Sequence, residues 1–320
     1  MATDKNKHLD SVLISHKIKK EQALLDKHVA KKDEVKEALE KHYGSNLYAP
    51  FNSGSYAKHT AMNTKFDFDL VAPYRRNAFE TLKAMYDDVY EFLNDKYNSV
   101  AVVKKQKVSI GLEFFPDANG DVVRVDVVPG RELNKDQYQE DNNLNLYVYS
   151  QWGNIAGGSD RIKTNVRKQI QNVKDNADRE SIRQIIRLLK IWKVQNGKRP
   201  KSFFLELITI KAFDNKTITG GLWDKLKAVM EYIRDQIKTI SLPDPGNSGN
   251  NVADTLTDIE KADMSDDMKF MVERIEEDSD YIKTYFALNP KFPEDSDDKN
   301  GGQYGVKDNR PSVPPVVRFG

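Results

Sequence analysis

Residues 54–73 read GSYAKHTAMNTKFDFDLVAP, and this stretch decides the fold that the sequence predicts. Acidic and apolar residues alternate over residues 66–71, which is typical of a β-strand. Successive side chains of a strand point to opposite faces, so Asp67 and Asp69 share one face. Because two adjacent carboxylates repel each other and lose hydration, they favour a bound cation, and Mg²⁺ prefers such oxygens. An edge strand with its acids in water is the alternative interpretation.

Gly54 and Ser55 precede this strand and indicate a phosphate-binding turn. A glycine allows backbone N–H groups to approach a phosphate closely, and the serine hydroxyl adds a hydrogen-bond donor. We therefore expect the turn and the acidic strand to form two parts of one site.

A third acid, Asp126, lies in the predicted strand 121–128, where valines alternate with polar residues. Two carboxylates on one strand and a third on its neighbour can hold two divalent ions ~3.5–4 Å apart. Asp67, Asp69 and Asp126 are therefore the candidate catalytic and metal-binding residues, for two Mg²⁺ ions or for Mn²⁺ in their place. In this interpretation one ion activates an attacking hydroxyl, the other neutralises a triphosphate, and Asp126 helps to take the hydroxyl's proton.

The composition narrows the class of protein. With 50 basic and 49 acidic residues the net charge is +1, whereas a protein that grips duplex nucleic acid usually has a clear basic excess. The chain has no cysteine and five scattered histidines, which excludes thiolate metal sites and argues against zinc. No apolar run approaches the ~20 residues needed to cross a bilayer. We expect a cytoplasmic protein without a membrane partner.

Hydrophobic periodicity predicts an α+β first half and an all-α second half, with a ligand cleft between them. The first predicted helix is a long spine over residues 9–43. The other predicted elements are strands at 47–51, 66–71, 108–115, 121–128 and 144–149, and helices at 77–96, 162–176, 180–196, 202–215, 221–240, 252–258 and 264–287.

Taken together, these motifs resemble those of the polymerase-β-like nucleotidyltransferases, and most of all the bacterial CD-NTases, relatives of cyclic GMP-AMP synthase and of the oligoadenylate synthetases. The likeness covers about residues 9–285 and includes IRLLKIWK at 186–193, KSFFLELI at 201–208, and the segments LPDP and NNVA at 242–245 and 250–253.

The resemblance implies an α+β fold. A polymerase-β-like nucleotidyltransferase core, a mixed sheet with helices, is joined to an all-α C-terminal domain of the oligoadenylate-synthetase type, with the active site in the cleft between them. The implied boundaries are 1–155 for the catalytic domain with its spine helix, 156–288 for the helical domain and 289–320 for a flexible tail.

The resemblance also implies roles for individual residues. Lys190 would contact the donor triphosphate and Ser202 would donate a hydrogen bond to it, although a surface lysine and a helix N-cap are the ordinary roles of such residues. Thr164 and Asn165, at the lid-like start of the second half, are candidates for reading the base.

The function implied by the resemblance is the joining of NTPs into a cyclic di- or trinucleotide second messenger, with release of pyrophosphate, in bacterial antiphage (CBASS) signalling. Two alternatives stay open. The same site could make linear oligonucleotides or transfer a nucleotide to protein or RNA, or the protein could be a non-catalytic nucleotide-binding scaffold. The three clustered acids argue against a scaffold, which has no reason to bear their electrostatic cost.

Partners follow from the same resemblance. NTPs are the substrates, and a downstream effector responds only to the nucleotide product. The chain lacks a Cys/His zinc insertion and a basic excess, so we expect activity that does not require DNA. Beyond residue 289 the sequence is rich in Pro, Gly and acids and predicts a mobile tail. It ends in Gly320, which ubiquitin-like conjugation enzymes would recognise, as in some bacterial antiphage operons; a disordered end without a role is the alternative.

Overall fold

Strands dominate the first half of the chain and helices the second. The structure, a computed structural model, describes residues 2–64, 67–151 and 160–293. The strands are β1 Phe51–Asn52, β2 Phe68–Tyr74, β3 Ala101–Lys105, β4 Ile110–Phe114, β5 Arg124–Glu132, β6 Leu144–Tyr147, β7 Arg161–Thr164, β8 Pro243–Asp244 and β9 Asn247–Asn251. The helices are α1 Lys5–Ser15, α2 Gln22–Tyr43, α3 Gly54–Ala57, α4 Leu82–Tyr97, α5 Tyr138–Asp141, α6 Val166–Lys174, α7 Arg179–Gln195, α8 Ser202–Asn215, α9 Leu222–Gln236, α10 Asp258–Glu277 and α11 Ile282–Tyr285.

Seven of the described strands form one mixed sheet. Its order is β1-β2-β5-β4-β3, and β6 pairs with both β5 and β7. β2 and β5 run parallel, and this pairing places Asp69 directly opposite Asp126. β4 pairs with the first part of β5 and β6 with its last part. Leu70 and Val71 in β2 are fully buried, as expected for a strand that is covered on both faces.

Two helices cover one face of this sheet. Val35 and Leu39 of α2 and Met85 of α4 are buried in the core that also contains the sheet's apolar side chains. α4 begins where the Thr81 hydroxyl accepts a hydrogen bond from the Ala84 N–H at 3.0 Å, which satisfies one of the free donors of the first turn. We call this packed unit the sheet core.

A second core is built from α1, α7, α8, α9 and α10, and we call it the helical core. α8 is apolar nearly all round, which is typical of a helix buried on every side. α10 starts with a capping box, in which Thr257 and Glu260 satisfy each other's backbone N–H groups. Leu9 and Val12 of α1 are buried here, so the beginning of the chain packs against the second half.

The single spine helix predicted over residues 9–43 is wrong. α1 ends at Ser15, Lys17 has an extended backbone with ψ of 131°, and a 3₁₀ turn over Ile18–Glu21 leads into α2. The His16 carbonyl accepts a hydrogen bond from the Asn63 N–H at 3.1 Å, so a contact distant in sequence stabilises the break. The consequence is that α1 joins the helical core while α2 joins the sheet core.

Several predicted element boundaries also need correction. β2 and β5 do not end at their prolines: Pro73 lies within β2, and its carbonyl still accepts from the Tyr48 N–H at 2.8 Å. The predicted helix 162–176 begins as β7, and α6 starts only after Asn165. β3 was not predicted, and the second half contains the β8–β9 hairpin besides its helices.

Candidate nucleotide site

Three acids lie near one another where β2 and β5 begin. Asp69 is the second residue of β2 and Asp126 the third of β5, and the two are direct neighbours in the parallel ladder. Asp67 immediately precedes β2, on the same side of the chain as Asp69 by the period of two. The fold therefore brings together the three acids that the sequence singled out, from segments far apart in the chain.

Burial and mutual repulsion change the acidity of these side chains. The pKa of the Asp69 carboxyl is raised to about 7, mainly by burial and then by the charges of Asp67 and Asp126, while Lys58 opposes the rise. Burial, followed by the charge of Asp67, raises the pKa of Asp126 to about 6, against a hydrogen bond from Gln106. Near neutral pH the site therefore holds protons on part of its carboxylates, and a bound cation would displace them.

Gly54 is positioned against one of these acids. Its φ of +63° lies in the left-handed region, and a Cβ built on it would lie 1.7 Å from Asp69 Oδ2. Only a residue without a side chain fits there, so the predicted phosphate-binding turn and the acid strand are in direct contact. Ser55 follows within the short helix α3.

Asp126 is oriented by a side chain that the sequence did not single out. Gln106 Nε2 donates to Asp126 Oδ1 at 3.2 Å, and the Ser109 hydroxyl donates to Gln106 Oε1 at 2.7 Å. Gly111 on the adjacent strand β4 makes room for this arrangement, since a Cβ there would lie 2.3 Å from Gln106 Nε2. Gln106 thus binds one oxygen of the Asp126 carboxylate, Oδ1, and the second oxygen is Oδ2.

The three acids fit a magnesium site by their chemistry but are not gathered round a common point. Within residues 2–64, 67–151 and 160–293, no three His, Asp or Glu side chains are placed closely enough to hold a metal ion as they stand. Carboxylates that repel one another are expected to lie apart until a cation draws them together. Carboxylate oxygens are the hard donors that Mg²⁺ prefers, and the strand register places Asp69 and Asp126 side by side.

Lys190 is not a surface lysine. It lies in α7 with 6% of its side chain exposed, and its Nζ is 2.8 Å from Glu206 Oε1 and 2.9 Å from Thr60 Oγ1. Lys58 Nζ reaches the other carboxylate oxygen of Glu206 at 2.7 Å. Lys58, Thr60 and Glu206 were not predicted from the sequence as site residues. The available signal was a single acid inside the apolar run FFLELITI at 203–210.

Ser202 is the first residue of α8, and the N-cap position belongs to Lys201. An N-cap role for Ser202 is therefore wrong. Its hydroxyl instead accepts a hydrogen bond from Lys193 Nζ at 3.4 Å. Lys193 follows Lys190 by one turn of α7, so the predicted lysine and serine lie on adjoining helix surfaces.

Thr164 and Asn165 are buried between β7 and α6. Asn165 caps α6: its Oδ1 accepts from the Lys168 N–H at 3.0 Å, and its Nδ2 donates to the Asp141 carbonyl at 2.7 Å. Thr164 ends β7 and is 4% exposed. The observed role of Asn165 is structural, and a contact of either residue with a base stays a prediction.

A cavity of about 740 Å³ lies beside the segment that follows Gly54 rather than over the acids. The three acids are not among its lining residues. The residues that line it include several basic side chains, namely Lys17, Lys19, His59, Lys174 and Arg187. The cavity thus borders α3, the short helix that contains Gly54 and Ser55.

The last described residues of the chain, up to residue 293, pack against the first half. Asn289 is buried: its backbone N–H donates to Ser15 Oγ at 3.1 Å and its Nδ2 donates to Asn63 Oδ1 at 2.9 Å. Gly320 and the rest of the predicted tail beyond residue 293 lie outside the described residues. None of the helices in the described part of the chain has the length and apolar character required to cross a membrane.

Comparison with known proteins gives both sequence relatives and fold relatives. No family model matches the sequence. The CBASS oligonucleotide cyclase CdnC of Escherichia coli strain KTE188 is 26% identical over 239 residues, which cover 66% of this chain and 71% of that protein.

Solved structures share the fold. The structure of E. coli MS115-1 CdnC with ATP has a TM-score of 0.65 at 21% identity and covers 90% of this chain and 94% of its own. The Elizabethkingia meningoseptica cyclic dinucleotide synthase CdnE, with GTP and Apcpp, has a TM-score of 0.56 at 18% identity and covers 74% and 89%. The arrangement of mixed sheet and helices described above is thus that of the CD-NTase structures.

Proposed function

We propose that this chain is a nucleotidyltransferase of the CD-NTase family that joins NTPs into a cyclic di- or trinucleotide with release of pyrophosphate. CdnC is described as a CBASS oligonucleotide cyclase, and we propose the same antiphage setting for this protein.

The observation that carries this proposal is the contact between two parts of the predicted site. Asp69 and Asp126 are neighbours across β2 and β5, and the backbone of Gly54 lies against the Asp69 carboxylate. A triphosphate that lies on the Gly54–Ser55 turn would therefore have its phosphates beside the acids. Such proximity is what phosphoryl transfer requires, because positioning and electrostatics supply most of its catalysis.

The reaction forms one bond and breaks one. A 3′ or 2′ hydroxyl oxygen of the acceptor bonds to the α-phosphorus of the donor, the bond from that phosphorus to the bridging β-phosphate oxygen breaks, and pyrophosphate leaves. Asp126 Oδ2 takes the proton of the attacking hydroxyl, a task suited to a carboxyl whose pKa is raised to about 6. A second transfer between the same two nucleotides, or after a third is added, closes the ring.

The remaining residues bind and orient the donor in this proposal. Gly54 and Ser55 form one wall of the triphosphate site, and Lys190 and Ser202 form the other. Thr164 and Asn165 contribute to base selection. Two Mg²⁺ ions held by Asp67, Asp69 and Asp126, or Mn²⁺ in their place, would supply activation of the hydroxyl and neutralisation of the triphosphate.

The first experiment tests the acids directly. Asp67→Asn combined with Asp69→Asn is expected to reduce pyrophosphate release from NTPs with Mg²⁺ by at least about 1000-fold, because both shared ligands lose their charge. Asp10→Asn, which removes an exposed acid from α1, is the control and should retain wild-type turnover. Unchanged release by the double variant would refute the assignment of the acids.

The identity of the product separates the enzymatic alternatives. Incubation with four radiolabelled NTPs, one at a time and in mixtures, followed by phosphatase, distinguishes a resistant cyclic product from linear chains that lose terminal phosphate. Label transferred to protein or RNA would identify the other transferase reaction. Absence of pyrophosphate release from all mixtures would favour a nucleotide-binding scaffold.

Two further properties belong to the proposal. We propose that turnover does not require DNA, so a many-fold rise on addition of duplex DNA would contradict it and would direct attention to Lys174 and Arg187 in the basic cavity. We also propose that ubiquitin-like conjugation enzymes act on Gly320. Conjugates that persist after deletion of Gly320, in cells with those enzymes, would refute this part.

A further inference from the structure

A buried cluster of charges links the segment after Gly54 to the helical core. Lys58 Nζ lies 2.7 Å from Glu206 Oε2, Lys190 Nζ lies 2.8 Å from Glu206 Oε1, and Lys190 Nζ also lies 2.9 Å from Thr60 Oγ1. No more than 8% of any of these three charged side chains is exposed. Each oxygen of the Glu206 carboxylate therefore has its own lysine.

The cluster is electrically unbalanced, since two cations face one anion. Burial alone would raise the pKa of Glu206, but the charges of Lys58 and Lys190 reverse this effect and lower it to about 2. Glu206 is thus ionised, and one positive charge remains uncompensated within the cluster. Lys58 is close enough to Asp69 to oppose the rise in that acid's pKa. The net positive charge consequently lies near the acids at which a triphosphate would bind.

The backbone between the two contacts is strained. His59, between Lys58 and Thr60, has a φ of 60°, a left-handed conformation that non-glycine residues seldom adopt. Lys58 and Thr60, on either side of His59, both donate a hydrogen bond to the Glu206 carboxylate. Lys58 Nζ also lies 4.8 Å from the ring centroid of Phe203 in α8. Strain of this kind persists where the surrounding contacts determine the conformation, and here the contacts come from α7 and α8.

We propose that Glu206 is a positioning residue of the nucleotidyltransferase site. It holds the side chains of Lys190 and Lys58 in fixed positions. Through Lys58 and Thr60 it also keeps the Gly54–Ser55 turn in contact with Asp69. This inference rests on the proposed function and extends it, since Glu206 itself does not touch the substrate.

The alternative is that the cluster only stabilises the fold, and a comparison of two buried glutamates distinguishes the two roles. Glu206→Gln keeps the size of the side chain and removes the anion, so two cations remain without a counter-charge. Their charge would hold the triphosphate at least as tightly, while their repulsion displaces the turn. We expect kcat to fall by about 10- to 100-fold and KM for ATP to stay the same or to fall.

Glu132→Gln is the matched control. Glu132 is fully buried at the end of β5 and accepts hydrogen bonds from the Tyr48 hydroxyl at 2.9 Å and the Arg76 N–H at 2.7 Å. Its substitution should lower the melting temperature and leave kcat and KM unchanged at a temperature where the variant is folded. Glu206→Asp, which keeps the charge, should recover part of the lost kcat.

Thr60→Val gives a second measurement if Glu206→Gln does not fold. It removes the hydroxyl shared by Lys190 and Glu206 but keeps the shape of the side chain. We expect a folded protein with a lower melting temperature, because buried hydrogen bonds are lost, and a kcat about 3- to 10-fold below wild type at a temperature where the variant is folded. Wild-type kcat and KM in the folded Glu206→Gln or Thr60→Val variant would overturn the inference. A wild-type protein that releases no pyrophosphate would instead refute the proposed function, so the two failures are distinguishable.

Discussion

Removal of one partly buried charge should make this protein more stable. Asp69→Asn replaces a carboxyl whose pKa is about 7, against an ordinary 3.8, because burial and then Asp67 and Asp126 disfavour its ionised form. Between about pH 4 and pH 7, the native state retains a proton on Asp69 that the unfolded state has released. The free energy of unfolding therefore falls as pH rises across this interval, and the whole loss is present above it.

The size of the effect follows from the two pKa values. Their difference corresponds to about 4 kcal/mol, which is an upper value because the three acids titrate together and relax when one is neutralised. We expect Asp69→Asn to raise the free energy of unfolding at pH 8 by about 2–3 kcal/mol, and the gain to be roughly half of that or less at pH 5.

The assay is urea unfolding in EDTA at both pH values, with wild type, Asp69→Asn and the exposed-acid control Asp10→Asn. MgCl₂ in place of EDTA should stabilise the wild type more than Asp69→Asn and narrow their difference. If Asp69→Asn matches or falls below the wild type at pH 8 in EDTA, the carboxylate is hydrated in solution and the reasoning from burial and repulsion is wrong.

Two further substitutions test the turn and the start of α6. Gly54→Ala should destabilise the fold by about 2 kcal/mol or more and abolish pyrophosphate release, because the new methyl group would collide with the Asp69 side chain. The control is Gly120→Ala, since Gly120 also has a positive φ, of +79°, but has open space around it. In thermal unfolding this control should show only the backbone cost of about 1 kcal/mol. Asn165→Ala should lower stability by about 1 kcal/mol through loss of the α6 cap, and an altered preference among the four NTPs would instead support a contact with the base.

The spacing of the acids was readable from the sequence because it depends on local geometry. A period of two places Asp67 and Asp69 on one side of a strand. The alternation of valines with polar residues likewise places Asp126 on the polar side of its own strand. The parallel register of β2 and β5 needed the structure, since nothing in either segment specifies its partner. The family resemblance and the mixed α+β fold that it implied are supported by the comparisons with CdnC and CdnE.

The features that were missed depend on contacts between distant segments. Helical periodicity continues almost without interruption from α1 to α2, and the break at His16 is stabilised by a hydrogen bond from Asn63 that no local pattern records. Lys190 and Glu206 each look ordinary within their own helix. Their pairing with Lys58 and Thr60 arises only when the segment after Gly54 packs against α7 and α8. The N-cap assignment of Ser202 was off by one residue, a common uncertainty at helix ends.

The break between α1 and α2 has a mechanical consequence. The chain leaves the helical core at Ser15 and enters the sheet core at Gln22, so rotation of one core against the other would be absorbed by the dihedral angles of residues 16–21. That hinge is hydrogen-bonded to Asn63 and forms a bridge with Met62, at the end of the same segment that begins with Gly54. If the Gly54–Ser55 turn binds a triphosphate as proposed, bending at residues 16–21 would displace that turn, and opening of the two cores would be coupled to triphosphate release.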